Sequence, residues 1–65
     1  MITLTRLGGQ RFVVNAELIR TVEQLPDTTV TLINGDRFIV SESLDEVIER
    51  AIEYGQRLRS LLAPS

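Results

Sequence analysis

At Ser43 the hydrophobic pattern of the chain changes period, and this switch constrains the fold more than any other feature. Before it, apolar residues alternate with polar ones in short runs broken by Gly, Pro and Asn, which is the period of half-buried strands. After it, Leu44, Val47, Ile48, Ala51, Ile52, Gly55, Leu58, Leu61 and Leu62 recur at helical spacing. Ser43 and Glu46 have the spacing of a capping box, in which each side chain satisfies a free amide of the first turn. Pro64 cannot continue a helix, so the pattern predicts one helix over 44–62.

The strand half divides at its turns. Ile2 and Leu4 alternate with Thr3 and Thr5, and Gly8-Gly9 supplies a tight hairpin to a second strand, Arg11 to Val14, with Phe12 and Val14 on one face. Asn15 suits the N-cap of a single helical or 3₁₀ turn carrying Leu18. A third strand runs from Ile19 to Gln24, where Ile19 and Val22 fall out of alternation and suggest a bulge or an edge position. Pro26-Asp27-Thr28 makes the next turn, Thr29 to Ile33 the fourth strand, and Asn34-Gly35 a two-residue type I′ hairpin. Arg37 to Val40 then pairs back with Phe38 and Val40 inward. The expected fold is a single α+β domain over 1–65. It has about five short antiparallel strands in a meander within 1–41, with closure into a barrel left open, then one long C-terminal amphipathic helix.

A chain of 65 residues buries only about 60% of the surface its unfolded form exposes, so its stability alone is marginal. With Cys 0 and His 0, disulfides and Cys or His metal sites cannot compensate, which leaves oligomerisation. The same absences exclude cysteine nucleophiles and Ser-His-Asp triads. Acidic residues fall in turns, as Asp27 and Asp36 do, or on the helix surface, and Gly8-Gly9 lacks the Lys and Ser/Thr of a phosphate loop. No enzyme activity, small-molecule substrate, cofactor or metal is expected. The start of the chain alternates like a strand and does not resemble a signal peptide, and no apolar run approaches the roughly 20 residues of a membrane span. The expectation is a cytoplasmic protein without membrane insertion. Its net charge of −2, with all seven basic residues arginine, lacks the electrostatic footprint of phosphate-backbone binding.

A helix over 44–62 is about 28 Å long, against roughly 17 Å for a five-residue strand. It therefore outruns its sheet, and Leu58, Leu61 and Leu62 are expected to project past the edge. Ala51 and Gly55 form a small-residue patch where a second backbone could approach, or which simply seats the helix on its own sheet. The stripe also fits two seven-residue lines, Leu44, Ala51, Leu58 and Ile48, Gly55, Leu62. On the polar face Glu46 and Arg50, and Glu53 and Arg57, are spaced as i, i+4 pairs. Ile48 and Phe38 read as core positions, where Asp or Ala would unfold the domain. Arg6, Arg11 and Arg37 are candidates for an outer surface that takes a partner's acidic patch or an RNA, against the plainer reading that they keep strand edges from pairing. The candidate interaction residues are thus Ala51, Gly55, Leu58, Leu61, Leu62, Arg6, Arg11 and Arg37.

In its order of motifs the chain resembles the small flagellar FlbD family, known in some species as the swarming motility protein SwrD. The resemblance rests on Met1-Ile2-Thr3-Leu4-Thr5-Arg6-Leu7, Asn15 with Leu18-Ile19, Pro26-Asp27-Thr28, Asn34-Gly35, and Glu42-Ser43 at the start of the helix. Gly8, Ala16 and Leu25 depart from the residues expected there, Asn, Pro and Thr, all at positions that flank turns. The resemblance implies a non-enzymatic cytoplasmic accessory of the flagellum associated with motor power or swarming, and it brings no catalytic residues. A motor or associated protein is the natural partner, and self-association follows from the helix. The alternative is a small regulatory nucleic-acid-binding domain, since Sm-like and LytTR-like sheets also carry single helices.

Overall fold

Both hairpin turns are built on one glycine each. In the computed structural model, which describes residues 1–62, strand β1 (Ile2–Thr5) pairs antiparallel with β2 (Arg11–Val14), placing Ile2 opposite Val14 and Leu4 opposite Phe12. The Gly9 amide donates to the Arg6 carbonyl at 2.7 Å and the Arg6 amide to the Gln10 carbonyl at 2.7 Å. Gly9 holds φ +102, so the loop is a type I turn closed by a glycine bulge. The hairpin between β4 (Thr28–Leu32) and β5 (Arg37–Val40) repeats it. There Gly35 donates to the Leu32 carbonyl at 2.9 Å, Leu32 donates to the Asp36 carbonyl at 2.8 Å, and Gly35 has φ +94.

This corrects the two-residue type I′ loop expected at Asn34-Gly35. Type I′ requires positive φ at both central residues, and no described residue other than glycine has it. Asn34 finds its bonds without it: its side-chain oxygen accepts from the Asp36 amide at 3.0 Å and its amide donates to the Asp36 carboxylate at 3.1 Å.

Between the hairpins, Asn15 caps a 3₁₀ turn (Ala16–Leu18) by accepting from the Glu17 amide at 3.0 Å. Strand β3 (Ile19–Gln24) follows and pairs with β4, with a register shift between Ile19 and Thr21. The shift turns Ile19 and Val22, three residues apart, toward the same core. The strands make two antiparallel sheets, β1-β2 and β3-β4-β5. They meet where Arg6 bridges Val40, the Leu7 amide donates to the Ile39 carbonyl at 3.1 Å, and the Ser41 amide donates to the Thr5 carbonyl at 2.8 Å. The sheets do not close into a barrel, because the 3₁₀ turn offsets the chain after β2 and β3 pairs only with β4.

Among the described residues the core is Ile2, Leu4, Val14, Val30, Leu32, Val40 and Val47, and of these only Val47 comes from the helix. Helix α1 (Leu44–Leu62) opens on the expected capping box: the Glu46 amide donates to the Ser43 hydroxyl at 3.1 Å, and the Ser43 amide to the Glu46 carboxylate at 3.2 Å. Gln24 adds a third partner from β3, its side-chain oxygen accepting from the Leu44 amide at 2.9 Å. The expected stop at Pro64 lies outside the described residues.

Two core assignments change. Phe38 is only half-buried, tilted against Phe12 with ring centroids 5.2 Å apart. Ile48 is 42% exposed, and its neighbour Val47, at 0%, is the residue that enters the core.

Candidate functional site

The rotation of α1 about its own axis decides which of its side chains the strands leave uncovered. One line of the helix, Leu44, Val47, Ala51, Tyr54 and Leu58, lies toward the strands: Val47 is buried, Tyr54 packs on the core, and the other three are half-buried. On one side of that line the rotation is fixed by a polar latch. Glu42, just ahead of the helix, is 8% exposed. Its carboxylate accepts from the Thr5 amide at 2.8 Å and from the Arg50 guanidinium at 3.1 Å. The same guanidinium nitrogen donates to the Thr3 carbonyl at 2.8 Å. Burial opposes ionisation of Glu42, but the bonds from Thr5, from its own backbone amide and from Arg50 outweigh it and hold the carboxyl below the ordinary glutamate value.

Sequence pattern assigned Arg50 to Glu46, four residues back, and missed this arrangement. That pair exists at 3.9 Å, but the closer bonds go to Glu42 and β1. A single carboxylate ahead of a capping box reads as a linker residue, so only its proximity to the helix start could have raised it. The Glu53–Arg57 pair forms as expected, at 2.5 Å.

On the other side of the sheet-facing line lies a second one, displaced from it by a single residue: Asp45, Ile48, Ile52, Gly55 and Arg59. Successive members are three or four residues apart and so share one flank. Ile48 and Ile52 are 42% and 53% exposed. At Gly55 an added Cβ would meet nothing within 4 Å, so contact with the protein's own sheet does not require glycine there. Of the other candidate residues on the helix, Ala51 and Leu58 are half-buried on the sheet-facing line, and Leu61 is 83% exposed. Leu62 is the last helical residue, and its side chain lies outside the described residues.

The three candidate arginines do not share one face. Arg6 lies over the Phe12 and Phe38 rings, 4.7 and 5.0 Å from their centroids, and covers the end of the core as a cation–π cap. Arg11 and Arg37 directly precede those phenylalanines in β2 and β5, and alternation along a strand sends them to the opposite faces. Arg11 instead borders an open cleft of about 370 Å³ with Thr3, Thr5, Arg50, Tyr54 and Arg57. Two of its three arginines are already held, Arg50 by Glu42 and Arg57 by Glu53. Among the described residues no group of three or more His, Cys, Asp or Glu side chains could hold a metal ion. No helix there is long and apolar enough to cross a membrane.

The family model for FlbD, the flagellar and swarming motility proteins, matches residues 1–58. The chain belongs to the FlbD family. No curated protein and no solved structure matches it. The matched span of this FlbD domain takes in both sheets, the Glu42 latch and the exposed flank as far as Gly55, while Arg59, Leu61 and Leu62 follow it.

Proposed function

We propose that this FlbD-family chain serves flagellar or swarming motility as a non-enzymatic, cytoplasmic accessory protein. It acts by protein contact, self-associating through α1 and then engaging a motor or associated protein. The observation that carries this reading is the division of the helix's apolar stripe. The sheets take the line through Val47 and leave Ile48 and Ile52 in water beside a glycine that has open space around it. Contiguous exposed apolar surface of this kind marks an interaction site. For a 65-residue domain with one small core, association is also the remaining source of stability.

Nucleic-acid binding gains little from the structure, since two of the three cleft arginines are ion-paired and Arg6 is stacked on Phe12 and Phe38. The test is complementation. A strain lacking the protein is given either the natural sequence or Ile52→Glu, with abundance matched by immunoblot. Swarming is expected from the first and not from the second, and affinity purification of the first is expected to recover a motor or export component. Full swarming by Ile52→Glu would remove the helix flank from the function.

A further inference from the structure

The exposed flank has polarity as well as shape, and the polarity selects its partner. Along the line Asp45, Ile48, Ile52, Gly55, Arg59 the acidic member stands at the N-terminal end, the basic member at the C-terminal end, and the apolar members between them. Asp45 lies seven residues before Ile52 and Arg59 seven after it, so the two charges are symmetric about Ile52 along some 21 Å of helix. Asp45 and Arg59 are exposed, and neither forms an ion pair among the described residues.

We infer that the partner of this flank is a second copy of the chain, its helix antiparallel to the first about a twofold axis beside Ile52. In that arrangement each Asp45 stands level with the partner copy's Arg59, twice per dimer, and Ile52 meets its own symmetry mate. Ile48 comes within one residue of the level of the partner copy's Gly55, where the missing side chain leaves room for it. A parallel pair would set Asp45 against Asp45 and Arg59 against Arg59. Like charges at those positions disfavour it, and the isologous antiparallel pair is the common symmetry for a dimer. This inference rests on the reading of the flank as a contact surface and adds to it the partner, the direction and the register.

The contact is small. A few side chains from each helix bury less than about 1,200 Å² in total, the range of weak and transient interfaces. A reversible monomer–dimer equilibrium is therefore expected, visible by sedimentation equilibrium at high protein concentration.

The natural chain has Cys 0, which makes cysteine cross-linking a clean test. A disulfide needs Cα atoms roughly 4.4–6.8 Å apart. Under mild oxidation Ile52→Cys is expected to cross-link to itself. Asp45→Cys alone and Arg59→Cys alone are expected not to, whereas a mixture of those two is expected to give the mixed dimer. Cross-linking of Asp45→Cys to itself would overturn the antiparallel direction. No cross-linking at any of the three positions would overturn pairing through this flank. In sedimentation, Asp45→Arg is expected to weaken the natural dimer roughly tenfold by turning two attractive pairs repulsive. Asp45→Arg combined with Arg59→Asp is expected to restore it to within about twofold, and failure of that rescue in a chain with an unchanged circular dichroism spectrum would also sink the register. A chain monomeric at all concentrations would end this inference while leaving the swarming experiment to judge the flank as a site for another protein.

Discussion

Glu42 is the residue whose removal tests the architecture most directly, because a single carboxylate ties the helix start to the first strand. In Glu42→Ala the Thr5 amide loses its acceptor in a part-buried position, which costs about 1–3 kcal/mol. The charge-assisted bond from Arg50 is lost as well, but Arg50 is 41% exposed and its guanidinium can return to water, so no unpaired buried charge is left behind. Together these give a loss of about 2–4 kcal/mol, against the about 3–5 kcal/mol that one small core supplies. Glu42→Gln keeps an oxygen for Thr5 and turns the charged contact into a weaker one, for about 1 kcal/mol. Urea unfolding followed by circular dichroism at neutral pH measures both. The order expected is natural chain, Glu42→Gln, Glu42→Ala, and a double-mutant cycle with Arg50→Ala is expected to show positive coupling. A Glu42→Ala loss below about 0.5 kcal/mol, or a cycle with no coupling, would mean that apolar packing alone seats the helix.

The same carboxyl gives a pH dependence. Its pKa is depressed in the fold, so its contribution is fully present above the ordinary glutamate value of 4.5 and is lost as pH falls below that through the folded value. Midpoints of thermal unfolding for the natural chain and Glu42→Gln are therefore expected to differ at pH 7 and to converge in acid. Val47→Ala removes fully buried side-chain volume where the helix enters the core and is expected to cost about 2–3 kcal/mol in urea unfolding. Its neighbour change Ile48→Asp is expected to cost less than about 1 kcal/mol, because the side chain is already partly in water. Gly35→Ala meets no steric obstacle, yet its φ of +94 is unfavourable for an L side chain and is expected to cost about 1–2 kcal/mol. Gly8→Ala, free of positive φ and of close neighbours, is expected to be near neutral in the same unfolding assay.

Most element boundaries were legible because the signals that set them are local. The capping box, the Asn15 cap and the i, i+4 pairs connect residues within four positions of each other, and all of them form. The bulge in β3 was legible for the same reason, since Ile19 and Val22 break alternation within one strand. The type I′ turn was misread because Asn-Gly admits two hairpins. The choice between them depends on Asp36, which gives Asn34 its hydrogen bonds without positive φ. The Glu42 latch was not legible at all, since it joins residues 37 and 8 positions away from Glu42.

The helix shows where periodicity stops being informative. An apolar arc wide enough to include both Val47 and Ile48 is compatible with either of them entering the core, and the sequence pattern alone points to Ile48 there and to an uncovered surface from Leu58 onward. Which line turns inward is settled by anchors outside the stripe: Gln24 holds the Leu44 amide, and Thr3 with Glu42 holds Arg50. Those bonds lie at the helix start and along one side, so they rotate α1 as well as dock it. The strands are too narrow a platform to cover the rest of the arc. The surplus is therefore a flank parallel to the core line as well as an overhang at the end. That difference matters for function: an overhang offers only Leu58, Leu61 and Leu62, whereas a flank offers two isoleucines, a glycine gap and a charge at each end. The latch that seats the helix is thus also what leaves exposed the flank proposed as the contact surface. Loosening it in Glu42→Ala should blur self-association even at temperatures where the strands remain folded.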